Sequence, residues 1–157
     1  MVRFRYSKVP TKLPVFPQDD VYYRLCPIVE IAVIGPKGQR FVKATVDSGS
    51  DDTIFPLALA EKLGIDLTNA RRGRGTAVGG HTFEYPYAEV TLQLQGGDEK
   101  FLWSAIVGFS DQRKKLGLLG QSGTFEFFNI LFVGSSKEIF IDPNDSFPGH
   151  WVVRPKR

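Results

Sequence analysis

The sequence contains few of the side chains that build metal sites or covalent cross-links. Its 157 residues include a single cysteine, Cys26, and two histidines, His81 and His150. One cysteine cannot form an intramolecular disulfide, and it excludes a cysteine-based metal cluster. Two separated histidines do not make a His-rich metal site. We therefore predict a protein without metal or cofactor, of the kind found in a reducing compartment.

Long apolar segments are also missing from the sequence. Its longest stretches without a charged residue reach only about ten residues, half of the ~20 that a membrane-spanning helix requires. The opening segment MVRFRYSK has no apolar core of the kind that a secretory signal carries. We therefore expect a cytoplasmic protein that has no membrane partner.

There is no strong excess of charge of either sign. The sequence has 20 Lys and Arg residues against 17 Asp and Glu residues, which gives a net charge of +3. Because the basic residues are scattered, a nucleic-acid partner is not expected. The open alternative is an arginine–glycine loop for nucleic acid, formed by Arg71, Arg72 and Arg74 beside a glycine-rich stretch. With 42% hydrophobic and 24% charged residues, the composition is that of an ordinary soluble domain.

Glycine, proline and phenylalanine, by contrast, are plentiful. The 16 Gly, 10 Pro and 13 Phe residues favour strands joined by turns over helices. The length predicts one domain, which we place at residues 25–141. Residues 1–24 contain three prolines and are expected to form an extended N-terminal arm, with residues 142–157 as a C-terminal tail.

Helical signals are confined to two short segments. Pro56 opens a segment in which two leucines are spaced by four residues, and Gly64 follows it as a stop. These features predict a helix at residues 56–63. A second, short helix is expected at 124–128, because the order of hairpin, glycine-centred segment and helix occurs twice along the chain as a weak internal repeat.

The motif Asp47-Ser-Gly49 follows directly after a predicted strand that ends at Val46. A strand end holds its side chains firmly, because the sheet fixes the backbone behind them. The glycine lets backbone N–H groups approach the carboxylate, and Ser48 and Ser50 add hydroxyl donors; such hydrogen bonds stabilise the ionised form. A plain Asx-type turn has the same composition, so the tripeptide alone leaves both interpretations open.

The residues around this motif distinguish the two interpretations. The segment ATVDSGSDDTIF at 44–55 resembles the active-site segment of retropepsin-like aspartic peptidases, the single-domain family of the retroviral proteases. The glycine-rich stretch 75–80 resembles the flap of that family, and the strand 87–95 falls where the family has one. The segment LLG at 118–120 resembles its apolar-apolar-glycine motif. The resemblance covers residues 27–133 and is closer to bacterial or archaeal members than to viral enzymes.

The resemblance implies a mostly β fold, a closed antiparallel β-barrel-like acid-protease domain with one clear and one short helix. It also implies a homodimer formed through the active site, because the chain has one such motif. Two carboxylates about 3 Å apart cannot both ionise, so the pair shares a proton and divides the roles of acid and base. Asp47 of each chain would be catalytic, with Ser48, Gly49 and Ser50 supporting it, Ser48 by bonding across the two-fold axis. A Ser50 hydroxyl near the pair would favour an acid pH optimum.

The same resemblance predicts which residues touch a peptide or protein substrate. They belong to the acidic pair after the motif and to the tip of the flap: Asp51, Asp52, Ala77, Val78, Gly79 and Gly80. The function implied is that of an aspartic endopeptidase, which hydrolyses peptide bonds without a metal. The alternative is a catalytically silent dimer that keeps the fold and binds peptides.

One position departs from the family pattern. The family commonly has Arg directly after the glycine of the LLG segment, where it buttresses the acidic residue that matches Asp51, and this chain has Gln121. A glutamine donates hydrogen bonds but cannot form an ion pair. The resemblance also leaves residues 138–141 as a candidate strand for the sheet between the two chains.

Overall fold

The computed structural model of the chain describes residues 1–17, 20–113 and 115–153. Across these residues the chain forms 13 strands and one helix, α1 (Leu57–Leu63). The strands are β1 (Val2–Arg5), β2 (Ser7–Pro10), β3 (Tyr23–Cys26), β4 (Ile28–Gly35), β5 (Gly38–Val46), β6 (Ile54–Pro56), β7 (Arg72–Thr76), β8 (Thr82–Gly96), β9 (Glu99–Ser110), β10 (Gly117–Leu119), β11 (Phe128–Val133), β12 (Glu138–Pro143) and β13 (His150–Val153).

Six of the strands close into a barrel. Their order is β9-β6-β10-β5-β4-β8, and β8 pairs back with β9 to complete the ring. Most neighbours are antiparallel, but β10 runs parallel to β5 and β6 runs parallel to β9. β7 extends the sheet beyond β8, and β13 pairs with the first residues of β9. The predicted fold class, mostly β with a closed barrel, is confirmed.

The long hairpin of β8 and β9 shows how the sequence forms the barrel wall. Every second side chain of β9, from Phe101 to Phe109, is buried, and the same alternation runs through Val90 to Leu94 of β8. Because successive side chains of a strand point to opposite faces, this pattern turns one face of the hairpin toward the core. Phe55 lies in the same core, fully buried beside Phe109. Each such side chain stabilises the fold by about 1.5–3 kcal/mol.

Helix α1 packs against the barrel where the sequence predicts a helix. It begins after Pro56 and ends at Gly64, which adopts the left-handed conformation with φ of 67°. The backbone N–H groups of Gly64 and Ile65 donate to carbonyl groups of the last turn and so satisfy the helix end. The helix has seven residues, and no helix in the described part of the chain is long and apolar enough to cross a membrane.

The prediction of a second helix at 124–128 is wrong. These residues form turns that lead into β11. The backbone N–H groups of Phe125 and Glu126 donate to the carbonyl groups of Gly120 and Gln121, five residues back, instead of building the ladder of an α-helix. The segment is therefore folded onto the loop that precedes it.

The first strand and two late strands of the chain form a small separate sheet. β12 is its central strand and pairs with β1 on one edge and β11 on the other. Val2 of β1 is buried in the main core. β2 pairs with β3, and residues 154–157 of the predicted tail lie outside the described residues. The domain boundaries at 24/25 and 141/142 remain predictions.

Candidate active site

Asp47 is the first residue after β5, and the backbone around it is held on both sides. Val46 donates its N–H to the Pro27 carbonyl at 2.8 Å, and Asp47 donates to the Leu119 carbonyl of β10 at 3.0 Å. β10 runs parallel to β5 at this place, with Leu119 opposite Val46. The side chain of Asp47 is half-buried. The barrel therefore presents this carboxylate at a fixed position on its edge.

The loop after Asp47 turns around the carboxylate. The Gly49 N–H donates to Asp47 Oδ1 at 2.9 Å, and the Ser50 N–H donates to the Asp47 carbonyl at 3.2 Å. A Cβ atom at position 49 would lie 3.3 Å from Asp47 Oδ1, which explains a glycine there. The Ser50 hydroxyl donates to the Asp52 carbonyl at 2.8 Å. The expectation of an acid pH optimum loses its support, because this hydroxyl shapes the loop and is not directed at Asp47.

A second loop, residues 120–122, holds the first one in place. Gln121 and Ser122 donate their backbone N–H groups to the carbonyls of Ser50 and Asp51, at 2.8 and 2.9 Å. The Gln121 side chain donates through Nε2 to the Ser48 carbonyl at 2.8 Å. Gln121 thus supplies a neutral contact to the loop where the family pattern has an arginine. Ser48 itself is exposed on the outer side of the loop.

Two buried threonines join the loops and were missed by the sequence analysis. The hydroxyls of Thr53 and Thr124 lie 2.9 Å apart, and the Gly120 N–H donates to the Thr53 hydroxyl at 3.2 Å. Each threonine follows the glycine of its own loop, Gly49 or Gly120, by four residues. The weak internal repeat contained this signal, since equivalent positions of the two copies meet in the structure.

Asp52 is anchored by two tyrosines of β8. The hydroxyls of Tyr85 and Tyr87 both donate to Asp52 Oδ2, each at 2.5 Å. Burial, followed by the hydrogen bond to Asp52, raises the pKa of both tyrosines above the ordinary value, so both remain neutral donors. Oδ2 of Asp52 is thus occupied by two hydrogen bonds that join the loop to β8. We therefore assign Asp52 to holding the loop against β8.

Removing these donors tests the assignment. We expect Tyr85→Phe or Tyr87→Phe to lower the free energy of unfolding by about 1–3 kcal/mol, because the charged carboxylate then loses one of its two hydroxyl donors. Chemical denaturation measures this loss, and Tyr22→Phe, at an exposed position, serves as the control. In the Asp52→Ala background the loss should largely vanish. Equal losses in both backgrounds would show that the hydroxyls do not act through Asp52.

The hairpin of β7 and β8 ends in a tight, exposed turn at residues 77–81. The Ala77 N–H donates to the His81 carbonyl at 2.8 Å, and the Gly80 N–H donates to the Ala77 carbonyl at 3.0 Å. Gly79 and Gly80 have φ of 100° and 82°, which side-chain-bearing residues rarely adopt. Val78 is fully exposed at the tip. The glycines at this place are therefore required by the turn itself.

A cleft of about 800 Å³ separates the hairpin from the Asp47 loop. Most of the site residues predicted from the sequence line it: Asp47, Gly49, Ser50, Asp51, Asp52, Ala77 and Val78. Ser48, Gly79 and Gly80 are not among its lining residues. Ile54 and Leu118, which face each other between β6 and β10, give the cleft an apolar wall. The residue Asp47 thus lies in the wall of this cleft.

Arg113 is a further lining residue that the sequence analysis did not single out. Its Nε donates to the Leu116 carbonyl at 3.0 Å and its Nη2 reaches the Gly117 carbonyl at 3.5 Å. Burial lowers the pKa of the guanidinium, and the charge of Asp47 partly offsets that effect. In the sequence Arg113 belongs to a short basic run, a pattern that is typical of a solvent-exposed loop. Its position in the cleft follows only from the fold.

A metal-binding arrangement is not seen in the part of the chain that the structure describes. No group of three or more His, Cys, Asp or Glu side chains is placed to hold an ion there. Asp47 itself is a carboxylate that accepts the backbone N–H of Gly49. A carboxylate can take up or release a proton, which is the chemistry that this position offers.

Comparison with known proteins agrees with this arrangement. A family model described as Aspartyl protease matches residues 29–122, more than half of the chain, and includes both loops and the hairpin. A crystal structure of a retropepsin-like aspartic protease from Rickettsia conorii is 17% identical and covers 79% of this chain and 99% of its own, with a TM-score of 0.44. No curated protein matches the sequence. By the family match, the chain belongs to the aspartyl protease family, as its retropepsin-like motifs predict.

Proposed function

We propose that the protein is a homodimeric aspartic endopeptidase in which Asp47 of each chain contributes one carboxylate to a shared active site. The observation that carries the proposal is the half-buried Asp47 carboxylate, held at the edge of a peptide-sized cleft by a loop of the family's motif. One closed barrel supplies one such carboxylate. The chemistry of peptide hydrolysis by carboxylates requires a second, and a second copy of the chain supplies it.

The reaction follows from sharing one proton between two close carboxylates. The ionised Asp47 takes a proton from a water molecule as the water oxygen attacks the peptide carbonyl carbon. The protonated partner donates its proton to the carbonyl oxygen, which gives a neutral tetrahedral diol. Transfer of a proton to the nitrogen then lets the C–N bond break, and the products are a carboxylic acid and an amine. The pair titrates as a unit, with two apparent pKa values.

The hairpin of β7 and β8 acts in this proposal as a flap over the bound peptide. Its glycine turn allows backbone movement at low cost, and the exposed Val78 provides an apolar side chain to cover the substrate. Ala77, Val78, Gly79 and Gly80 are the proposed contacts on this side. Asp51, exposed on the opposite wall, is the proposed acidic contact.

The sheet of β1, β12 and β11 limits how two chains can pair. Both edges of β12 are already paired within the chain, so residues 138–141 cannot accept a strand from a second copy without unpairing. The outer edge of β11 is unpaired among the described strands and carries the exposed side chains of Leu131 and Phe132. We therefore place the contact between sheets at β11, with the two Asp47 loops facing each other.

The test combines oligomeric state with cleavage. We expect the wild-type protein to cleave an unbiased peptide mixture between mildly acid and neutral pH and to be inhibited by a statine-containing peptide. Activity per chain should fall on dilution over the same concentrations at which sedimentation shows the dimer dissociating. A dimer that binds the peptides without ever cleaving them would instead support the silent peptide-binding module.

A further inference from the structure

One arginine of the cleft, Arg113, forms no ion pair with the carboxylates that the structure describes. Arg113 lies between β9 and β10 and lines the cleft that contains Asp47. No carboxylate among the described residues lies within 4.0 Å of its guanidinium nitrogens. The other arginine of the cleft, Arg74, is already paired with Glu84 at 3.5 Å. The positive charge of Arg113 is therefore available to a ligand.

The guanidinium of Arg113 is held in place instead of moving freely in solvent. Two of its nitrogens reach the carbonyl groups of Leu116 and Gly117, and the side chain is half-buried. A guanidinium has five N–H donors, so donors remain for a further acceptor. Their fixed fork geometry fits a carboxylate, which accepts two parallel hydrogen bonds.

The position of Arg113 relates it to the reacting centre. It stands just before β10, the strand whose Leu119 carbonyl holds the Asp47 backbone and whose Leu118 faces Ile54 across the apolar wall. A substrate side chain next to the scissile bond can lay its methylene groups on this wall and reach Arg113 with its end. A second negative charge so close to Asp47 would be repelled unless a cation lay beside it.

We propose that Arg113 makes the enzyme select peptides that carry an acidic side chain, Glu or Asp, next to the scissile bond. The inference rests on the proposed endopeptidase function and names its substrate class. In a symmetric dimer one Arg113 would serve each side of the cleaved bond. The competing explanation is that Arg113 forms an ion pair with a carboxylate of the second chain and so holds the dimer together.

The test uses matched peptides that differ at one residue. Cleavage sites are first mapped in an unbiased peptide mixture, and a cleaved sequence is then made with Glu or Gln beside the scissile bond. For the wild type we expect kcat/KM to be about 10- to 100-fold higher for the Glu peptide. Arg113→Gln should remove this preference, so that the ratio of kcat/KM for the Glu peptide to that for the Gln peptide falls to about one. Arg113→Lys should retain part of it, and Lys115→Gln, at an exposed neighbouring position, should retain all of it.

Two results would overturn the proposal. The first is equal cleavage of both peptides by the wild type, and the second is an Arg113→Gln variant that loses activity on both peptides as its dimer dissociates. Thermal unfolding of each variant shows whether it has folded. The comparison of the two peptides with the wild-type protein tests the proposal even if a variant fails to fold. If nothing is cleaved, the endopeptidase function fails, and titration calorimetry with two peptide libraries that differ only in Glu or Gln at one fixed position then decides the role of Arg113 separately: tighter binding of the Glu library that Arg113→Gln removes supports it, and equal binding overturns it.

Discussion

Replacing Asp47 with Asn is expected to abolish peptide cleavage, with a loss of at least ~10³-fold in kcat. An amide cannot take a proton from water at the pH of the reaction, so the attacking oxygen is no longer activated. The fold should not change, because Asn keeps the size of Asp and an Oδ1 that can still accept the 2.9 Å hydrogen bond from the Gly49 N–H. Peptide cleavage rates, thermal unfolding and sedimentation measure these three expectations.

A matched control separates the loss of a negative charge from the loss of the carboxylate in the cleft. Asp98 lies exposed in the turn between β8 and β9, and Asp98→Asn removes the same charge outside the cleft. We expect this variant to cleave at the wild-type rate. If Asp47→Asn cleaves as fast as Asp98→Asn, the carboxylate of Asp47 is not the catalytic group.

Mixed dimers test whether the two copies act together. Chains with two different affinity tags, one wild type and one Asp47→Asn, can be purified as a heterodimer that contains a single Asp47. The mechanism needs one ionised and one protonated carboxylate at the same time, and this heterodimer has only one carboxylate. We therefore expect it to be as inactive as the doubly substituted dimer. Half of the wild-type activity would mean that each Asp47 works alone, and the shared-proton mechanism would then be wrong.

Local sequence is sufficient to predict a tight loop after β5, whereas several contacts that hold this loop come from residues distant along the chain. Asp47, Gly49 and Ser50 lie in one short segment, and the hydrogen bonds that turn the backbone around the Asp47 carboxylate are made within it. The anchoring of Asp52 depends on tyrosines 33 and 35 residues away. Two tyrosines spaced by two residues on a strand do not indicate in the sequence which residue their hydroxyls bond. The bonds between Asp52 and β8 are therefore visible only in the folded chain.

The same contrast separates the two predicted helices. Residues 57–63 form a helix because Pro56 and Gly64 provide their own start and stop signals. Residues 124–128 have no such signals, and the buried contact between the Thr124 and Thr53 hydroxyls, together with Gly123 at φ of 85°, folds them into turns. A tertiary contact decided the structure of the second segment, and nothing in its local sequence announces that contact.

Replacing Gly120 with Ala is expected to destabilise the fold strongly. A Cβ atom at this position would lie 2.3 Å from the Asp52 carbonyl oxygen and 2.6 Å from the Ser50 carbonyl oxygen. Both contacts are with backbone, so no side chain can rotate to relieve them. We expect a loss of about 3 kcal/mol or more, a large share of the ~5–15 kcal/mol that stabilises a typical domain. Chemical denaturation measures the loss.

Gly134→Ala provides the control, because nothing lies within 4 Å of a Cβ atom placed at Gly134, in the turn between β11 and β12. Its free energy of unfolding should stay within about 0.5 kcal/mol of the wild type. Gly120→Ala should also lose activity at temperatures where it is still folded, since the loop that Gly120 contacts carries Asp47. A Gly120→Ala protein that unfolds like the control would contradict the close packing of the two loops, and with it the structural reason why Asp47 stands at a fixed position.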